Sequence, residues 1–80
     1  MENNTTHNNT HLIPTNGNAR GTLYYTIGTN GRIHSKDGWF HRHITNNELI
    51  IGRNFRGRRA IAVTRISNIV DFVPTENINN

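Results

Sequence analysis

Eighty residues, of which 32% are apolar, allow at most one small domain with a modest core. The absence of cysteine excludes both a disulfide framework and a thiolate metal site, which leaves self-association as the natural reinforcement. The formal charge is +4, but all nine Lys/Arg lie between Arg20 and Arg65, and residues 20–73 set nine cations against three acids, a net of +6, which is the footprint of a polyanion binder.

Residues 1–19 are mostly Asn, Thr and His and bury too little apolar surface to offset the entropy of ordering, so they read as a disordered tail. Leu12 and Ile13 interrupt it, and Pro14 opposes a helix through them. From Arg20 the chain turns β-branched and aromatic. "TLYYTIG" sets Leu23, Tyr25 and Ile27 against Thr22, Tyr24 and Thr26, the alternation of a half-buried strand with Tyr25 inward and Tyr24 outward. Asn30-Gly31 is a hairpin signal, since both residues tolerate positive φ. A longer strand follows from Arg32 to about Thr45, with Gly38 marking a bulge or a bend. Asn46-Asn47 turns the chain into "ELIIGRNF", Arg56-Gly57 closes a hairpin into "RRAIAVTR", and "NIVDFV" forms a last strand before Pro74. Residues 74–80 form a second disordered tail. No segment sustains a 3.6-residue period, so no substantial helix is expected. The expected fold is all-β: five short strands over residues 20–73 in a small, strongly bent, partly open barrel.

The stretch "LYYTIGTNGRIHSKDGWFHRHITNNELIIG" followed by "RRAIAVTRISNIVDF" resembles the Sm-like small β-barrel, and above all the YolD-like family through its aromatic pair and closing "NIVDF". "RRAIAVTRI" is also similar to the C-terminal strand of WYL domains. The resemblance implies an Sm-like fold. It carries no ligand residues across. The Tyr-Lys-His run with which a bacterial Sm protein contacts RNA would fall near Ala62-Val63-Thr64, and the WYL triplet on Asn46-Asn47-Glu48.

The binding site must therefore be read from this chain. "RNFRGRR" groups Arg53, Arg56, Arg58 and Arg59 around Gly57, and such planar forks suit phosphates bidentately. The competing reading is a solvated turn whose arginines deter edge-to-edge aggregation. In "GWFHRHI", Trp39, His41 and His43 share one strand face and Phe40, Arg42 and Ile44 the other. With Phe40 and Ile44 in the core, the Trp-His-His row faces outward as a stacking platform for bases, or else packs under the N-terminal arm or in a subunit contact. "HRH" offers two imidazoles, too few for a zinc site, and no metal or other cofactor is expected. Asp71 is open as a partner for Arg65 or as an edge-strand gatekeeper. Without a cysteine nucleophile, a glycine-rich phosphate loop or paired carboxylates, no enzyme is expected.

The function these features point to is a basic nucleic-acid-binding or regulatory module, for RNA or single-stranded DNA rather than duplex. Arg42, Arg53, Arg56, Arg58 and Arg59 would hold phosphates, and Trp39, His41 and His43 would stack bases. The alternative is an adaptor or inhibitor docking on an acidic partner protein, and a third reading is a site for a nucleotide second messenger. The longest apolar runs fall far short of the roughly 20 residues of a membrane span. The N-terminus lacks the pattern of a secretory signal, so the expected location is the cytoplasm, with a homo-oligomer joined at the final strand's edge.

Overall fold

The computed structural model describes residues 8–56 and 59–75. Among them are five strands: β1 (Ala19–Thr26), β2 (Ile33–Arg42), β3 (Leu49–Arg53), β4 (Ile61–Arg65) and β5 (Ile69–Pro74). Short 3-10 turns occupy Thr10–Leu12 and Ile66–Asn68, and no described residue is α-helical. All pairings are antiparallel in one sheet of order β4-β3-β2-β1-β5. The fold is thus all-β, as expected. The sheet is open, with β4 and β5 as its edges. No helix among the described residues is long and apolar enough to cross a membrane.

Alternation along each strand sorts the side chains. On the inner face, Leu23, Phe40, Ile50, Ile69 and Phe72 are buried, and Tyr25 and Val63 pack against them. The rings of Phe40 and Phe72 meet edge to face with centroids 5.9 Å apart, although β1 lies between their strands. Gly52 leaves room for this packing, because a Cβ there would stand 2.9 Å from the Phe40 ring and 2.7 Å from Val63. Gly38 has a different task. Its φ is +156°, and a Cβ would collide with the Arg53 carbonyl of the neighbouring strand. The register is unbroken there, so Gly38 marks a close approach of β2 and β3 and not a bulge; the shifts fall at Tyr24/Tyr25 and Ile50/Ile51.

Several boundaries differ from expectation. Thr26 and Ile33 are the last pair of the first hairpin, so residues 27–32 form a six-residue loop in which Gly28 and Gly31, not Asn30, take positive φ. Asn30 instead accepts the Arg32 amide on its side chain, at 2.9 Å. β2 ends at Arg42, and Ile44, expected in the core, is 70% exposed beyond that end. Asp71 accepts the Phe72 amide on its own carboxylate, while Arg65 pairs with Glu48 at 3.6 Å.

The largest difference concerns the N-terminal segment. Residues 1–7 and 76–80, expected as tails, lie outside the described residues, but residues 8–18 join the domain. Ile13 is 1% exposed within the core. It is held there by Arg42, whose side chain shares the inner face with Phe40: its Nε donates to the Ile13 carbonyl and its Nη2 to the Thr10 carbonyl, each at 2.8 Å. The Arg42 amide adds a bond to the Pro14 carbonyl, and Asn9 Nδ2 donates to the Phe72 carbonyl on β5. Composition alone makes residues 8–18 too polar to order. One large apolar side chain and an arginine with charge-assisted bonds reverse that balance.

Two substitutions test this arm. Ile13→Ala is expected to lower unfolding free energy by about 2–5 kcal/mol. Arg42→Met, which keeps the stem and removes the donors, should cost about 1.5–3 kcal/mol. Urea denaturation measures both, and an unchanged midpoint for Ile13→Ala would mean that the arm is a passive tail.

Candidate nucleic-acid interface

Burial of Phe40 turns its neighbour Trp39 to the outer face. There the register brings arginines to either side of it: Trp39 pairs with Arg20 on β1 and with Arg53 on β3. Two residues past Arg53, the ring of Phe55 stands nearly perpendicular to the indole, at 87° with centroids 6.2 Å apart. Arg20 fills the angle between the two rings, its guanidinium carbon 4.6 Å from the Phe55 centroid and 5.4 Å from that of Trp39. The charge is held against carbon while Arg20 remains exposed to solvent.

The predicted residues fall into distinct places. Trp39 and Arg53 belong to this cluster. Arg56 and Arg59 are exposed in the β3–β4 loop that also carries Phe55. Arg58 and the Gly57 turn lie outside the described residues. Arg42 is on the opposite face, committed to the arm carbonyls, and does not join the cluster. His41 shares the outer face with Trp39, its Nδ1 lying 3.1 Å from Asn18 Oδ1. His43 leaves the row because β2 has ended. Its Nδ1 accepts the Thr45 and Asn46 amides at 3.2 Å and caps the turn into β3. His34 is on the inner face, stacked on Tyr25 at 5.8 Å. No group of three metal-ligating side chains occurs among the described residues.

Two members of the cluster were missed from sequence. Arg20 sits 19 positions from Trp39, and only the β1–β2 register joins them. Phe55 lies inside the quoted arginine run, where an aromatic among cations is a usable signal. Among the described residues, no carboxylate lies within ion-pair distance of Arg20, Arg53, Arg56 or Arg59, whereas Arg65 is matched by Glu48. The outer face around Trp39 therefore combines flat rings with guanidinium groups that form no ion pair among the described residues, a surface suited to stacking a base and pairing a phosphate.

No protein-family model, curated protein or solved structure matches the chain.

Removing the second ring should expose the first. Phe55→Ala is expected to red-shift Trp39 emission, increase its quenching by acrylamide and cost about 0.5–1.5 kcal/mol of stability. His43→Ala frees two amides of the turn and should cost about 1 kcal/mol in chemical denaturation without altering Trp39 emission.

Proposed function

We propose that the protein binds single-stranded nucleic acid, RNA or DNA, across the outer face of its sheet. The observation that supports this most is the rung Arg20–Trp39–Arg53 with Phe55 against it. A half-buried indole on the outer face, flanked by cations, offers stacking worth about 1–3 kcal/mol per base. Phosphates on either side would meet arginines that form no ion pair with a described acid. Arg56 and Arg59 extend the positive surface along the β3–β4 loop. A duplex hides its base faces and offers nothing to Trp39, so single strands are the better substrate. The Sm-like resemblance, a cytoplasmic location and self-association, expected at the edge of the final strand, β5, belong to the same reading.

The test is a titration of a short unstructured oligonucleotide, followed by Trp39 fluorescence at two salt concentrations. Binding should quench the indole and weaken as salt rises, with a log–log slope of about −0.7 per phosphate neutralised. Replacing Arg53 and Arg56 together by Glu should reduce affinity at least about tenfold and flatten that slope, since each arginine lost removes a released counterion. If no oligonucleotide binds even at low salt, the reading is wrong, and the basic face is better assigned to an acidic partner protein.

A further inference from the structure

Trp39 and Arg20 also form two walls of an open pocket of about 340 Å³, completed by Asn18, Ala19 and Thr75. That volume is at the small end of the range for ligand sites, room for one planar group and not for a chain of them. The polar groups of its rim are weighted toward donors. Arg20 has five N–H donors and no acceptor. The Asn18 carbonyl oxygen faces His41 Nδ1 at 3.1 Å. With the proton on Nδ1 the amide oxygen accepts it, and in that tautomer the NH2 group of Asn18 stays available as a donor. Arg20 is also restrained by the two rings it lies against, so little freedom is lost when its fork engages a ligand.

A flat aromatic wall beside a fixed fork of donors selects a heteroaromatic ring with two acceptors side by side on one edge. Guanine presents N7 and O6 in that arrangement. Adenine places an amino donor beside N7 and would set donor against donor, whereas cytosine does pair two acceptors, N3 and O2, on its unpaired Watson–Crick edge but lays a smaller ring on the indole. Uracil and thymine supply the single acceptor O4. We infer that this pocket is a guanine subsite, with the base stacked on Trp39 and its N7/O6 edge on the Arg20 guanidinium. The inference rests on the proposed single-strand interface and assigns it a base preference.

Trp39 is the only tryptophan, so its fluorescence reports on the pocket directly. Full-length protein would be titrated with the four 5′-ribonucleoside monophosphates, with inorganic phosphate, and with two oligonucleotides differing only by one central G or A. Saturable quenching by GMP about tenfold tighter than by AMP or UMP is expected, with CMP between, because one bidentate pair is worth about 1–3 kcal/mol of discrimination. The G-containing strand should bind more tightly than its A counterpart by a similar factor. Arg20→Lys keeps the charge and loses the fork, so the GMP-to-AMP preference should fall to about one. Asn18→Asp, at an exposed loop position, replaces a donor by an acceptor and should lower GMP affinity independently. Equal affinities for all four nucleotides, or phosphate competing as well as GMP, would overturn the guanine subsite while salt-dependent oligonucleotide binding upheld the interface. Failure of the oligonucleotides as well would overturn both.

Discussion

The seating of Phe40 is the contact on which the outer surface depends. Its ring is fully buried on Gly52 and against Phe72, and so joins β2 to the core it shares with β3 and β5. Strand neighbours point to opposite faces, so this burial presents Trp39. A slip of one residue would bury the indole, expose the phenyl ring and carry Arg20 and Arg53 away from it. The close approach at Gly38 opposes such a slip, since any other residue in that place would bring a Cβ onto the Arg53 carbonyl. Core packing and the arrangement of the candidate interface are thus two consequences of one register.

The same alternation turns Arg42 inward, and a guanidinium on a core-facing side is costly unless its donors are met. The N-terminal arm meets them through the Thr10 and Ile13 carbonyls, and in return Ile13 enters the core. In so small a domain one further buried aliphatic side chain is a large fraction of net stability. The arm also occupies the Phe72 carbonyl through Asn9, which blunts the β5 edge at that position and leaves β4 as the better-exposed edge.

Charge is distributed unevenly along β3. At its start, Arg65 of the adjacent strand is paired with Glu48; at its end, Arg53 and the loop beyond it meet no acid among the described residues. Aromatic rings replace carboxylates as the neighbours of Arg20 there. A guanidinium against a ring face gives up little hydration and keeps its N–H edge, whereas one paired with a carboxylate has its fork already occupied. That contrast separates a surface that is merely basic from one prepared to receive an anion.

Much of this was legible before folding. The period of two in Leu23 to Tyr25 and across Gly38 to His41 is local, so the inward and outward faces of β1 and β2 could be read from adjacent residues, and Trp39 could be set opposite Phe40. Strand ends were less legible: in "HRHITNN" the Asn pair marks a turn but not that pairing stops at Arg42, because the His43 cap on the Thr45 and Asn46 amides exists only once the turn has formed. By itself, then, the chain determined its all-β class, its alternating faces and the concentration of positive charge between Arg20 and Arg65. Only the tertiary structure decided that Arg20 and Phe55 would flank Trp39, that Arg42 would hold the arm carbonyls instead of phosphates, and that Ile13 would be core. Those outcomes depend on pairing between distant segments, which local periodicity does not encode and the shared burial of one hydrophobic face does.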